Sequence, residues 1–352
     1  VLAVALLALA LFAAAPPATA GAASAAGPGA SAGPAASSPE TAVARAARPP
    51  ARWVRVSVAT LWVRPGEARR VDAPACAYPA DPRAWVAAMT TTQKRWLVGR
   101  LETQALYGAK VYLLRTSGSW SRVVVAGQPT PRHGLGYPGW LPTRQLTAAA
   151  PAGAGRLAVV RRRTAWLFET AALEGRVLEI SYGTRLPVLS VTDSAVEVAR
   201  PEGGAGFLPR AAVALHESGT GWPALTGARL VAEARRFRGL QYLWAGTSGT
   251  GLDCSGFTHL VCRALGVTVP RDAAAQLATG RPVRSRSSLR AGDLVFFRGA
   301  SGTVHHVGMY VGGDRMIHAP ATGRAVSEVS LAVEPYRSEF AGGRRLTPAG
   351  GG

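Results

Sequence analysis

Apolar positions along the chain fall into distinct regimes. Leu2 to Ala15 are apolar without interruption, and residues 21–50 hold almost no large apolar side chain. From Trp53 to about residue 218, short alternating or β-branched runs are broken by Gly, Asp and Ser, as in Ser119-Trp120-Ser121-Arg122-Val123-Val124-Val125. That pattern predicts short strands closing small β-barrels. One interruption has helical spacing. After Asp81-Pro82, the residues Trp85, Val86, Met89, Trp96, Leu97 and Leu101 recur as on a helix face, which predicts a helical insertion over about 73–105. The last segment opens with Thr226, a helix cap, and a run through Leu230, Val231, Ala234 and Phe237 that ends at Gly239. A second helix is predicted from about Cys254 to Leu265, with Phe257, Val261 and Leu265 on its buried face. The runs 293–297, 304–311 and 315–318 then read as antiparallel strands. Helices followed by strands indicate an α+β domain.

The all-β part repeats itself. Leu106-Tyr107-Gly108-Ala109-Lys110-Val111 is echoed by Ser181-Tyr182-Gly183-Thr184-Arg185-Leu186, and Gly139-Trp140-Leu141-Pro142 by Gly206-Phe207-Leu208-Pro209. Upstream, Thr60-Leu61-Trp62-Val63 is matched to Thr164-Ala165-Trp166-Leu167. The expected organisation is therefore multidomain: a β unit at 51–150 carrying the insertion, a second at 155–218, and an α+β domain at 226–345. Trp62 and Trp140 are expected in the core of the first unit.

Composition adds a compartment and a charge. The apolar run ends in Pro16-Pro17 and the small triplet Ala18-Thr19-Ala20, which reads as an export signal over 1–20 followed by a disordered linker over 21–50. No stable membrane anchor is expected, and the location would be periplasmic, or extracellular and wall-associated. The formal charge is +20, and Lys occurs only at 94 and 110. Such an Arg bias fits either a GC-rich genome or attraction to a polyanion such as a wall polymer or membrane surface. Nucleic acid is disfavoured because no basic run interleaved with aromatics occurs. Arg161-Arg162-Arg163 is expected to be a solvated strand edge. The three cysteines, Cys76, Cys254 and Cys262, lack zinc-site spacing, so neither metal nor organic cofactor is expected.

Cys254 carries the candidate chemistry. It follows the loop Gly249-Thr250-Gly251-Leu252 and opens a helix, where free backbone N–H groups and the helix dipole favour a negative sulfur. Gly256 is expected to keep the approach uncrowded. A base is needed nearby. Val304 to Val311 and Arg315 to His318 form a predicted hairpin around Gly312-Gly313-Asp314. Centred on Gly312, it would place His306 directly opposite His318, so that His318 could orient the His306 imidazole. His305 alternates to the other face. Cys262 reads as an inert core residue.

These residues carry a resemblance. Asp253-Cys254-Ser255-Gly256-Phe257, His306-Val307-Gly308-Met309-Tyr310 and Ile317-His318-Ala319 closely resemble the NlpC/P60 cysteine peptidases. Tyr242-Leu243-Trp244-Ala245-Gly246, Pro270-Arg271-Asp272 and Gly292-Asp293-Leu294-Val295-Phe296-Phe297 match as well. Gly136-Tyr137-Pro138-Gly139-Trp140 and Gly206-Phe207-Leu208-Pro209 make the two β units resemble bacterial SH3-like domains. The resemblance implies two SH3-like barrels followed by a papain-like domain, with Cys254 as nucleophile, His306 as base and His318 as its orienter. It also implies action on the γ-D-glutamyl–diamino acid bond of peptidoglycan peptides.

The full layout resembles the γ-D-glutamyl-L-diamino acid endopeptidases of the dipeptidyl-peptidase VI type. That resemblance implies a site for a free N-terminal L-Ala amine, formed by Glu102, Tyr137, Asp253 and Ser255, with Tyr242 near the oxyanion. The chain departs from the family at Ala245, where Gly is usual, and at Ala273, where a small hydroxyl is often found. Hydrolysis of intact wall, or wall binding without catalysis, are the rival expectations.

Overall fold

The computed structural model describes residues 48–346 except 154, 218–221 and 223. The expected export signal, and all of the expected linker before residue 48, lie outside the described residues.

The first β unit contains β1 (Ala51–Val54), β2 (Val58–Trp62), β3 (Leu101–Leu106), β4 (Lys110–Ser117), β5 (Trp120–Val125), β6 (Tyr137–Pro142) and β7 (Leu146–Thr147). They pair in the order β3-β2-β6-β5-β4-β1-β7, an open ladder around Val54, Leu61, Val111, Val123 and Leu141. The second contains β8 (Arg156–Val160), β9 (Thr164–Phe168), β10 (Arg176–Ser181), β11 (Arg185–Val191), β12 (Ala195–Ala199), β13 (Ala205–Pro209) and β14 (Val213–Glu217). Its order, β10-β9-β13-β12-β11-β8-β14, is the same permutation, so the sequence repeat is a repeat of topology.

Register corrects one part of that repeat. Val58 pairs with Leu106 in the first sheet, and Thr164 pairs with Ser181 in the second. Trp62 pairs with Trp140, as Phe168 pairs with Phe207. The counterpart of Trp62 is therefore Phe168, and the Thr-x-Trp match between the two strands is two residues out of step. Burial agrees with the ladder, because Trp62 is fully buried and Trp166 is 37% exposed.

The insertion between β2 and β3 carries α1 (Ala73–Cys76), α2 (Pro82–Ala88) and α3 (Thr91–Trp96). Asp81 caps α2 by accepting from the Ala84 N–H at 2.8 Å, and buried Asp72 accepts from the Trp85 indole at 2.8 Å. The helical run ends earlier than its periodicity predicts. Gly99 lies at φ +74°, and Leu101 begins strand β3. Glu102 is thus a strand residue, and the helical part stops at Trp96.

The third domain begins with α4 (Gly227–Arg235), capped by Thr226. A short hairpin, β15 (Thr247–Ser248) and β16 (Gly251–Leu252), leads into α5 (Cys254–Ala264). After α6 (Ala273–Gln276) come β17 (Arg281–Val283), β18 (Leu294–Arg298), β19 (Val304–Gly312), β20 (Arg315–His318), β21 (Ser327–Ser330) and β22 (Phe340–Arg345). The sheet order is β17-β22-β18-β19-β20-β21. The α5 face formed by Phe257, Leu260 and Val261 is buried in one cluster with Phe296, Val307, Met309 and Ile317.

That cluster also contains Val58, Leu106 and Tyr182 from the two β units, so the three parts share apolar core. Polar contacts fix the second unit in place. Arg161 pairs with buried Glu233 of α4, and Arg163 donates to the carbonyls of Arg236 and Arg238, each at 2.6 Å. The Arg161–Arg163 run, expected as a solvated edge, is in its first and third members a docking element. Gly249 is required at the same junction, because a Cβ there would lie 1.8 Å from the Arg163 carbonyl oxygen.

Candidate active site

Asp253 caps α5 by accepting from the Gly256 N–H at 2.6 Å, which places Cys254 in the first turn. Gly256 does not open an approach. A Cβ there would sit 2.0 Å from the Gly246 carbonyl oxygen, so glycine is needed for the helix to pack against the preceding loop. That loop is strained at Ala245, whose φ is +61°. The usual Gly is favoured there because left-handed backbone crowds a Cβ.

His306 lies on β19 and His318 on β20. Met309 pairs with Ile317 and Tyr310 with Met316, and the register then slips at Gly312, which pairs with Arg315. Continued from the first two pairs, this register sets His318 opposite Gly308, two residues from the mirror position expected for a turn centred on Gly312. A shift of two preserves the face, so the rings still meet, with His306 Nε2 2.8 Å from His318 Nδ1. Gly308 makes room for this diagonal contact: a Cβ on it would lie 3.2 Å from the His318 Cβ and 2.6 Å from the Met316 sulfur. Tyr336, beyond every motif in the sequence, packs its ring edge-on against His318 at 5.2 Å. His305 also reaches the cleft but pairs with Glu339 at 3.0 Å and makes no bond to His318.

Burial sets the protonation of these groups. It pushes the Cys254 thiol up to about 12, with the Asp253 charge adding to the rise; backbone hydrogen bonds from Val307 and Ser255 oppose it. The bond from Val307 brings the strand that carries His306 against the sulfur. Burial holds His306 down at about 3, with His318 and His305 adding to the effect, and His318 at about 4. Burial thus works against both charged forms, and at the sulfur it opposes the pull of the helix start toward thiolate.

His259, on the buried side of α5, is also held down at about 3 by burial. All three imidazoles sit below the ordinary unfolded value near 6.5. Between about pH 6.5 and 4 the unfolded chain binds protons that the folded protein refuses, so stability falls as pH falls through that window. The urea midpoint is expected to be flat above pH 7 as far as these groups are concerned, and to drop progressively from pH 6.5 to 4.5. His259→Gln should flatten the drop, and a midpoint that ignores pH over that range would contradict the assignment.

Cys254 and His306 open into a cleft of about 650 Å³ whose opposite wall comes from the first β unit. Three residues of β3 bond to the third domain. The Leu101 carbonyl accepts from the Trp244 indole at 3.3 Å, Thr103 Oγ1 from Arg271 Nε at 3.0 Å, and Gln104 Oε1 from the Thr247 N–H at 3.1 Å. This places Glu102 on the cleft wall with Tyr137, Tyr242, Asp253 and Ser255. All eight residues singled out from the sequence lie at this one site, with His318 behind His306.

Three further charged residues lie there that the sequence reading did not select. Arg271, fully buried, donates to Asp253 Oδ2 at 2.7 Å, to Asp253 Oδ1 at 3.0 Å and to Ser255 Oγ at 3.0 Å. Asp272 accepts from the Tyr137 hydroxyl at 3.1 Å. Both stood within a recognised motif, Pro270-Arg271-Asp272, which was the available signal. Arg132 pairs with Glu102 and donates to the Tyr137 hydroxyl at 3.1 Å; no motif surrounds it. Among the described residues no cluster of His, Cys, Asp or Glu could hold a metal ion, and no helix is long and apolar enough to cross a membrane.

A thiol at a helix start, a buried imidazole pair and a peptide-sized cleft are the parts of a cysteine peptidase, and known proteins agree. Residues 239–345 match the NlpC/P60 family, and residues 160–216 match the YKFC SH3b2 domain. The chain is 40% identical over 303 residues to a gamma-D-glutamyl-L-lysine dipeptidyl-peptidase of Bacillus cereus, covering 84% of this chain and 91% of that one. It is 31% identical over 293 residues to the protein of the same name from Bacillus subtilis, covering 82% and 96%. The crystal structure of an NlpC/P60 family protein from Bacillus cereus superposes with a TM-score of 0.79 at 38% identity, over 85% of this chain and all of that one. With two SH3-like units ahead of its α+β domain, the chain belongs to the NlpC/P60 family of cysteine peptidases.

Proposed function

We propose that this peptidase cleaves the γ-D-glutamyl–diamino acid bond of peptidoglycan stem peptides whose N-terminal L-Ala amine is free. The observation that carries this reading is the composition of the cleft: Cys254 and His306 line one side, and Glu102 and Tyr137 of the first β unit line the other. Carboxylate and hydroxyl groups are the partners an ammonium group requires. The enzyme would work outside the cytoplasmic membrane, at or near the wall, with no cofactor.

In the reaction, the Cys254 sulfur attacks the γ-carbonyl carbon while His306 takes the thiol proton. Burial disfavours a separated thiolate and imidazolium, which favours a transfer that accompanies the attack. His306 is tied through Nε2 to His318, so Nδ1 is the basic nitrogen and His318 fixes ring and tautomer. Backbone N–H groups at the start of α5 hold the oxyanion, with Tyr242 beside it. Collapse breaks the C–N bond, and His306 returns the proton to the leaving diamino acid amine. Water then attacks the thioester with His306 as base, releasing L-Ala-D-Glu and the free thiol. The leaving residue is L-lysine in the names of the two Bacillus relatives, and L-lysine is the first to test here.

The experiment compares L-Ala-γ-D-Glu-L-Lys with its N-acetylated and N-acetylmuramyl-linked forms. A hydrogen-bonded charge contributes about 1.5–3 kcal/mol, so kcat/KM is expected to favour the free amine by about 10- to 150-fold. Equal rates would overturn the free-amine requirement and leave intact wall open as a substrate.

A further inference from the structure

Glu102 is already occupied. Both of its carboxylate oxygens accept from Arg132, Oε1 from Nη2 at 2.7 Å and Oε2 from Nη1. Arg132 Nη1 also donates to the Tyr137 hydroxyl at 3.1 Å, and the guanidinium lies 5.2 Å from the centre of the Tyr137 ring. The two members of the ammonium site that come from the first β unit, Glu102 and Tyr137, thus already hold a cation belonging to the chain.

The two partners differ in how firmly they are held. The Glu102 side chain is 12% exposed, on a strand bonded on either side to the third domain. The Arg132 side chain is 44% exposed and sits between the end of β5 at Val125 and the start of β6 at Tyr137. In contrast, the other guanidinium of the cleft, Arg271, is 1% exposed and committed to Asp253. Of the two cations, Arg132 is the one that can leave. Its departure would leave Glu102 facing the cleft without its paired cation, while Asp272 keeps the Tyr137 hydroxyl and the neighbouring Arg271 charge.

We propose that Arg132 is a specificity-determining residue: it fills the Glu102–Tyr137 site of the empty cleft as a surrogate cation that only a ligand bearing an ammonium group replaces. This rests on the free-amine reading above. A free N-terminus exchanges one positive charge for another, so the carboxylate is never left bare. An acylated N-terminus offers no charge, and the Arg132–Glu102 pair stays in its way. Selectivity then arises from a competitor built into the chain as well as from attraction by Glu102.

A competitor raises KM, so removing it should lower KM. A half-exposed ion pair is weak, and the expected fall for Arg132→Gln with L-Ala-γ-D-Glu-L-Lys is about two- to five-fold, on KM rather than kcat. Arg132→Lys, which keeps the charge without the paired donors, should fall between Gln and wild type. Methylguanidinium should compete with the tripeptide in Arg132→Ala, raising its KM, and have no such effect on the wild type. An unchanged KM in Arg132→Gln, or a raised one, overturns the proposal; a raised KM would mean that Arg132 positions Glu102 or contacts the peptide. Failure of the parent reading shows separately, in the wild type alone, as equal kcat/KM for free and N-acetylated peptide.

Discussion

Cys254→Ala is expected to remain folded and to lose turnover of the free tripeptide by about four to six orders of magnitude, the range for losing a nucleophile that acts as a unit with its base. The argument is geometric. Cys254 is the thiol in the cleft; Cys262 is fully buried within the same helix, and Cys76 lies in the insertion. Alanine keeps the first turn of α5 intact, because the capping oxygen belongs to Asp253 and the first capped amide to Gly256. His306→Ala should fall nearly as far, since a buried thiol needs a base to lose its proton. Release of free lysine over hours checks both, with circular dichroism to verify folding. Activity of Cys254→Ala within tenfold of wild type would remove Cys254 from the mechanism.

The largest expected effect on stability is at Arg271. Arg271→Met removes three hydrogen bonds from the Asp253–Ser255 segment and a fourth from Thr103 of the first β unit. It leaves the Asp253 carboxylate 7% exposed and without its counter-ion. Breaking one side of a buried pair costs about 3–5 kcal/mol, because the remaining charge stays desolvated. The urea midpoint should drop accordingly. Adding Asp253→Asn should recover part of the loss, since it removes the stranded charge while keeping a cap. A midpoint for Arg271→Met within about 1 kcal/mol of wild type would show that water reaches Asp253. Because Arg271 ties β3 to the cap of α5, the single variant should also weaken tripeptide binding.

The nucleophile helix was readable because its information is local. A cap at Asp253, a thiol in the first turn and an apolar face at Phe257 and Val261 all lie within eleven residues. The choice of His306 over His305 rested on the period-two alternation of a strand together with the His306-Val307-Gly308-Met309-Tyr310 motif. The pairing partner of His306 was misplaced by two residues because the turn is centred on Gly313-Asp314 and not on Gly312, which no residue count reveals; the register slip beyond it shortens the offset from three residues to two and so restores the shared face of His306 and His318. The same limit applies to the repeat, where matched words equate Trp166 with Trp62 although the ladders make Phe168 the counterpart, Trp62 pairing with Trp140 as Phe168 pairs with Phe207. Helical spacing carried the insertion through Leu101, where pairing with β2 over Val58 to Trp62 overrode it.

The sequence by itself determined the family and its layout, two β units of one design ahead of an α+β domain, and nominated Cys254, His306 and His318 as the reacting groups. These follow from neighbours within a turn or a strand, where spacing fixes geometry. Only the tertiary structure decided what surrounds that chemistry. Tyr137 reaches Asp272 across 135 residues, and Arg271 reaches Thr103 across 168. Arg132 covers Glu102 from a loop with no pattern of its own. Such contacts form because buried charges must find counter-charges wherever the packed domains bring them together, and no local periodicity encodes that requirement.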